Sequence, residues 1–535
     1  MLPIALGLDF GTESARAILI DANGKELAVG TDAYAHGQIV ETLPDSTTKL
    51  PANYALQHPT DWIDSAAKAT RDALQESGLD GSEIVGIGVD FTSCTMLPTT
   101  ASGTPLCLDD QWRGTPLAWP KLWKHHGAIE QTDRMNRIAH ERGESFLNRY
   151  GGTIGLEWFF PKLLETIDGA PEVAEAADVW LEAGDWFVWQ LVGGDRQTLP
   201  RSTCQAGYKA LWSATDGFAS QDYLNAVDPG LAEAADQKMP GRILSPGERA
   251  GELCDVMADR LGLPAGIAVS AATIDAHSAV PGVGAAEPGT LVMVLGTSSC
   301  HMLNSTTGAA VDGVAGIVEG GILPGLFGYE TGQAAVGDAF AWLLNLLNLD
   351  SFDQLGADAM RLPPGAEGVC CLDWMNGCRT PLMDGALKGA FSGLSLQSKP
   401  AHLYRALLES SAYGLRWIVD VLRDGGVPVE AFVATGGLPH HNPDVVQIYA
   451  DVLNTDIEVH PSQQGPAVGA AVLGMVAAGC ETTGFETVAQ AAKAMAAVED
   501  ANKRVVQPRP GIAPEYDKLY ADYRTLARTM MEMQR

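Results

Sequence analysis

The sequence predicts an α/β protein made of two similar halves. Three observations carry that expectation. Residues 4–20 form a strand–turn–strand unit whose turn region holds Asp9, Gly11, Thr12, Glu13, Ser14 and Arg16. Residues 290–302 repeat the plan: an apolar strand, then Gly296-Thr297-Ser298, then a return. A separate glycine turn, Gly436-Gly437, comes directly after the strand-like run 431–433.

The first hairpin has the chemistry of a phosphate cradle, although the same pattern also fits an ordinary hairpin. Gly11 lets the backbone approach an anion and present its N–H groups. Thr12 and Ser14 add hydroxyl donors. Asp9 offers a hard oxygen ligand for a magnesium ion, directly or through water. Arg16 neutralises phosphate charge. The second Gly-Thr hairpin opens the other half of the chain, so the phosphates are expected to be gripped from both sides. The glycines at 436 and 437 let an adenine or ribose lie against the backbone.

The remaining elements are taken along the chain. Pro59-Thr60-Asp61 starts a helix over 62–76, with Thr60 or Asp61 as its cap. Residues 85–91 form a buried strand. Most of the tryptophans fall between Trp112 and Trp212, in an insertion on the first half. For most of them packing is the expected role, and Trp123 is the expected sugar contact. Residues 266–270 read as a strand leading to Asp275, which the small residues 278–286 leave open to close approach. Asp275 is thus the candidate carboxylate for taking a proton from an acceptor hydroxyl. The halves divide between Gly282 and Thr290, where Pro281-Gly282 and Pro288-Gly289 flank a small-residue stretch that can act as a hinge. Residues 403–422 form a long helix stopped by Gly425-Gly426. Residues 463–478 form a buried glycine- and alanine-rich helix, too short to span a bilayer. Alternating strands and helices give α/β layers.

Composition sets the outer bounds. At 535 residues the chain exceeds one ordinary domain. Its formal net charge of −31 disfavours nucleic acid and anionic membranes as partners. The nine cysteines lack zinc-type spacing and read as reduced, buried thiols of a cytoplasmic protein. No secretory signal is apparent at the N-terminus. His440 and His441 are adjacent, so their side chains diverge, and a place beside the adenine suits them better than chelation.

The two Gly-Thr hairpins and the glycine turn resemble the actin-like ATPase superfamily and, within it, the FGGY carbohydrate kinases. The resemblance implies two actin-like (ribonuclease H-like) ATPase domains, 1–285 and 286–535, flanking a nucleotide cleft. It narrows to the ribulokinase branch on several segments: Val89-Asp90-Phe91-Thr92-Ser93-Cys94, Leu122-Trp123-Lys124-His125-His126, Glu157-Trp158-Phe159, Gly207-Tyr208-Lys209 and Asp373-Trp374-Met375-Asn376-Gly377. The Gln-Met-His-Gly motif of xylulokinases and the Asn-Gln-Arg motif of glycerol kinases are absent. The activity implied by this resemblance is ATP- and magnesium-dependent phosphorylation of O5 of L-ribulose, in arabinose catabolism. The resemblance also implies the roles of individual residues. Asp275 is the base, Lys209 and Glu330 bind sugar hydroxyls, and Ser93 and Cys94 shape the pocket near the carbonyl end. Gly296 and Thr297 touch the phosphates. Gly436, Gly437 and Asn442 surround the adenosine. Glu13 stands where glycerol kinases carry Thr, and either reaches the magnesium or turns away. The alternatives are a sibling kinase for D-ribulose, xylulose or ribitol, and an actin-like nucleotide switch with no sugar acceptor. A homodimer is left open.

Overall fold

A computed structural model describes residues 2–44, 47–497, 502 and 504–534. Its frame is a pair of seven-stranded sheets, one per half. Across the first sheet the main strand order is Glu26–Ala33, Ser14–Asp21, Ile4–Phe10, Ile84–Phe91, Ala268–Ser270, Arg249–Glu252, and Thr273–Ile274 also pairs with Ile84–Phe91. Across the second it is Gly316–Glu319, Phe327–Gln333, Ser299–Ser305, Thr290–Leu295, Ala431–Thr435, Ile457–Val459, Arg504–Val506. The plan is the same twice. An antiparallel meander opens each half, and its first strand pairs in parallel with a strand from farther along the chain. Both predicted hairpins and the strand before the glycine turn are present.

Helix boundaries move by a few residues. The first helix is Pro59–Ser77, and His58 is its N-cap, with ring Nδ1 accepting from the Thr60 N–H at 3.4 Å. Neither Thr60 nor Asp61 caps it, because Pro59 takes the first helical position and the cap falls to the residue before it. Asp61 instead accepts from the His36 N–H at 2.9 Å and pairs with His36 Nδ1 at 2.8 Å. The long helix runs Pro400–Asp424 and ends at Gly425.

Gly465–Ala477 is the predicted small-residue helix, and it packs on the sheet of the other half. Its backbone lies directly on the strands Ile4–Phe10 and Ile84–Phe91. A Cβ at Gly88 would come within 1.7 Å of the Ala470 carbonyl oxygen, and one at Gly7 within 2.0 Å of that of Ala467. The partner helix Asp275–Gly282 crosses it just as closely, with Gly469 against the Ser278 carbonyl. Glycine is required here for contact between elements. The helix start at Asp275 is thereby fixed between the two sheets.

Between Ile84–Phe91 and Arg249–Glu252 lies the tryptophan-rich insertion, mostly helical, with its own apolar core around Tyr150, Phe160, Trp180 and Tyr223. A last helix, Ala513–Gln534, covers the second half with Tyr516, Tyr520 and Tyr523. All nine cysteines are free. Among the described residues no single helix is long and apolar enough to cross a membrane.

Candidate active site

The two Gly-Thr hairpins close in the same way. The Gly11 N–H donates to the Ser14 carbonyl at 3.0 Å, and the Gly296 N–H to the Ser298 carbonyl at 3.0 Å. Neither glycine is demanded by the fold. A Cβ on Gly11 would meet nothing nearer than 3.5 Å, and one on Gly296 nothing nearer than 3.7 Å. These are bare backbone positions with room for a ligand above them. Gly296 and Thr297 are exposed. Their carbonyls accept the N–H groups of Gly337 (3.1 Å) and Asp338 (3.0 Å), which seats the start of helix Gly337–Leu346 on the second hairpin.

Around the first hairpin the predicted residues have definite partners. Arg16 donates to Asp9 at 2.7 Å. Glu13 turns outward and accepts from Gln38. Ser14 begins the return strand. The Thr12 hydroxyl accepts from the Trp123 indole N–H at 3.0 Å. Trp123 therefore touches the first hairpin, and the Trp158 ring centroid lies 5.8 Å from Lys209 Nζ. A neighbouring trio, His36, His58 and Asp61, ties residues 34–38 to the first helix, with the two imidazoles stacked at 4.1 Å.

Across the cleft, Lys209 and Glu330 meet. Lys209 Nζ donates to both Glu330 oxygens, at 2.6 and 2.7 Å, and the two side chains are only 7% and 5% exposed. Lys209 ends the short helix Thr203–Lys209 of the insertion, and Glu330 lies in the second-half strand Phe327–Gln333. The pair thus joins the two halves. Burial alone would raise Glu330, but Lys209, His277 and Arg379 more than offset it and hold its carboxyl at about 2. His277 Nε2 lies 3.5 Å from Glu330, and its ring packs 4.1 Å from Tyr208. Burial lowers this imidazole to about 4, which keeps it neutral.

Cys94 stands beside this pair with a left-handed backbone (φ 57°) and a buried thiol pushed up to about 12 by desolvation. Its carbonyl accepts from Lys162 Nζ at 2.8 Å, and Ser93, next to it, is half-buried. The unusual φ is held by the turn from Thr92 to Thr95, whose hydroxyls bond at 2.8 Å.

Asp275 heads the helix Asp275–Gly282. Its Oδ1 accepts the Ala276 N–H at 2.7 Å, which fixes the carboxyl and leaves the second oxygen for other work. Burial, with the charges of Asp9 and Glu330 nearby, raises it to about 7. A carboxylate of that basicity suits proton acceptance near neutral pH.

In the second-half glycine turn, Gly436 takes φ 91° and a Cβ there would strike the Leu295 carbonyl at 2.6 Å, so the turn itself requires glycine. Gly437 is exposed, and a Cβ there would touch only the His441 ring, at 3.7 Å. Asn442 is partly buried and donates to the Tyr404 hydroxyl at 2.9 Å. His440 and His441 lie in the helical turn Leu438–His441 beside them.

Several cleft residues were not assigned roles from the sequence. His277, Arg379 and Trp158 face the Lys209–Glu330 pair, and Glu157 lies near Arg379 and pairs with His126 at 3.1 Å. Asp90 stands directly across from Asp9 in the parallel register, and from Thr273 on its other side. The signal for Asp90 was a carboxylate inside an otherwise aliphatic buried strand. Arg379 had no such local signal, since it comes after a loop with no periodic pattern.

Comparison with known proteins agrees with this geometry. Residues 4–282 match the N-terminal domain of the FGGY family of carbohydrate kinases, and residues 291–478 match its C-terminal domain. A protein named ribulokinase from Geobacillus thermodenitrificans is 44% identical over 533 residues, covering 97% of this chain and 93% of its own. Those from Halalkalibacterium halodurans (45%; 97% and 94%) and Mycolicibacterium smegmatis (40%; 97% and 92%) are similar over the same span. Among solved structures, a xylulose kinase from Rhodospirillum rubrum superposes with TM-score 0.79 at 24% identity, covering 99% of both chains. A Plasmodium falciparum glycerol kinase with ADP gives 0.78 at 16%, covering 99% of this chain and 98% of its own. These two share the two-domain fold. With both domain models matched in order along it, the chain belongs to the FGGY family of carbohydrate kinases and is a sugar kinase.

Proposed function

We propose that the protein transfers the γ-phosphoryl group of ATP to O5 of L-ribulose, giving L-ribulose 5-phosphate and ADP, as a cytoplasmic step of arabinose catabolism. One observation carries the reading. A buried, charged pair from opposite halves, Lys209–Glu330, stands beside a carboxyl raised to about 7, Asp275, between two bare glycine hairpins. The names of the relatives supply the choice of L-ribulose.

The backbone N–H groups around Gly11 and Gly296 cradle the phosphates, with Thr12, Ser14 and Thr297 adding hydroxyls. Gly436, Gly437 and Asn442 line the adenosine. Asp9 and its neighbouring carboxylates form a hard oxygen donor set that suits a magnesium ion, which supplies charge neutralisation on the phosphates when bound. Lys209 donates to sugar hydroxyls and Glu330 accepts from them, Ser93 and Cys94 shape the carbonyl end, and Trp158 covers one face. Asp275 takes the O5 proton as O5 attacks the γ-phosphorus and the bond to the ADP oxygen breaks. The cleft excludes water, which protects ATP from hydrolysis. Domains 1–285 and 286–535 close on each other through residues 282–289.

Asp275→Asn tests the assignment. It should keep the fold and ATP binding but lose about 10²–10⁴-fold in kcat. A variant with near-normal kcat would remove Asp275 from the chemistry.

A further inference from the structure

Asp90 is fully buried, and among the described residues neither of its carboxylate oxygens has a hydrogen-bond partner. It lies in the strand Ile84–Phe91, flanked in register by Asp9 on one side and by Thr273, two residues before Asp275, on the other. Residues opposite each other in neighbouring parallel strands point their side chains to the same face, about 5 Å apart. The Asp9 and Asp90 side chains therefore project together toward the start of the Asp275 helix. Asp9, Asp275 and Arg16 are the charged groups that face it, and the Asp9 side chain lies within hydrogen-bonding reach of it.

An unpaired carboxyl at the end of a core strand is costly unless something compensates it. Protein donors do not. The Asp9 carboxylate has Arg16, and Asp275 has the Ala276 N–H. Asp90 has no cation or N–H in contact, only the Asp9 carboxyl. With Asp90 and Asp275 ionised, three carboxylates and one guanidinium carry two net negative charges, which one divalent cation would balance.

We infer that Asp90 is a third cation-holding carboxylate, which with Asp9 and Asp275 positions a divalent metal ion beneath the first phosphate hairpin. The inference rests on the kinase reading but adds a residue to it. Asp90 acts directly or through one water, as suits a magnesium ion that keeps part of its hydration shell.

The test is Mn²⁺ titrated alone, without sugar or nucleotide, into the full chain and followed by electron paramagnetic resonance. The wild type should take up one ion, and Asp90→Asn should bind it about 10–100-fold more weakly. Equal affinity, or no uptake by the wild type, would overturn the inference. Thermal unfolding gives a second readout. Without metal, Asp90→Asn should be at least as stable as the wild type, because a repelled buried carboxyl is gone. Mn²⁺ should raise the melting temperature of the wild type more than that of the variant. A variant that is less stable, or does not fold, with an unchanged wild-type response would point to a packing role and contradict the assignment. In wild-type crystals soaked with Mn²⁺, the anomalous peak should lie within direct or one-water reach of Asp90. A peak elsewhere would refute it. Sugar phosphorylation is measured separately, so loss of the kinase reading would not be mistaken for loss of the cation site.

Discussion

Lys209→Met and Glu330→Gln, alone and together, probe the contact on which the proposed sugar recognition rests. Lys209 makes two bonds of 2.6 and 2.7 Å to Glu330, with both side chains almost wholly buried. Removing one partner strands the other charge in the protein interior, at about 3–5 kcal/mol. In Lys209→Met the remaining cation facing Glu330 is Arg379, which puts that loss at the lower end of the range; His277 is neutral and 3.5 Å away. The double variant leaves no stranded charge, so it should be more stable than the sum of the single losses by about 3 kcal/mol. Urea unfolding measures this. Sugar binding has a different signature. A lost charged hydrogen bond to a hydroxyl is worth about 1.5–3 kcal/mol, or about 10- to 150-fold in kcat/KM for the sugar. That loss should appear in both singles and persist in the double, while ATP affinity stays within about twofold. Additive stability losses would refute the coupling. Lost ATP binding with unchanged sugar kinetics would refute the layout of the cleft.

Glycine substitutions and acid give two further expected outcomes. Gly11→Ala should fold normally, since its Cβ meets nothing within 3.5 Å, yet raise the KM for ATP; Gly88→Ala should instead destabilise by about 1–3 kcal/mol or more, because its Cβ falls 1.7 Å from the Ala470 carbonyl. Thermal melts and ATP kinetics on the pair separate a ligand glycine from a packing glycine. Acid should weaken the fold in two stages through the insertion. Burial holds His125 at about 4, below its ordinary 6.5, so stability falls as pH drops from 6.5 to 4, where the unfolded chain takes a proton that the folded chain refuses. Burial raises Glu165, but Lys121 and His125 bring it to about 2, below its ordinary 4.5, so its contribution is complete above 4.5 and is lost toward 2. Urea midpoints that stay flat from pH 6.5 to 4 would contradict the first stage.

Much of the frame was legible because it is local. Strand–Gly–strand patterns and the Gly425 stop are short-range signals, and both hairpins and the long helix appear where they were expected. The two-lobed cleft was legible because the hairpin occurs twice. Other features depend on contacts that no local pattern encodes. The helix Gly465–Ala477 was read correctly as buried, but its composition does not say that it lies on the other half's sheet. The cap of the first helix went to His58 because Pro59 displaced it. The contact of Trp123 with the Thr12 hydroxyl and that of Trp158 with Lys209 likewise join residues far apart in the chain. The closing helix had a readable sign in Tyr516, Tyr520 and Tyr523, spaced for one helical face. Asp90 was visible as a letter, and its meaning came only with the strand register.

The central claim is that this cleft phosphorylates a ketopentose at O5. The most direct measurement is ADP release with ATP and Mg²⁺ over a panel of L-ribulose, D-ribulose, xylulose, ribitol and a no-sugar control, with the product of the best substrate identified by phosphorus NMR. The account predicts the highest kcat/KM for L-ribulose, a 5-phosphate product and little ADP without sugar. A higher kcat/KM for ribitol or xylulose, or ADP release that no sugar stimulates, would contradict it.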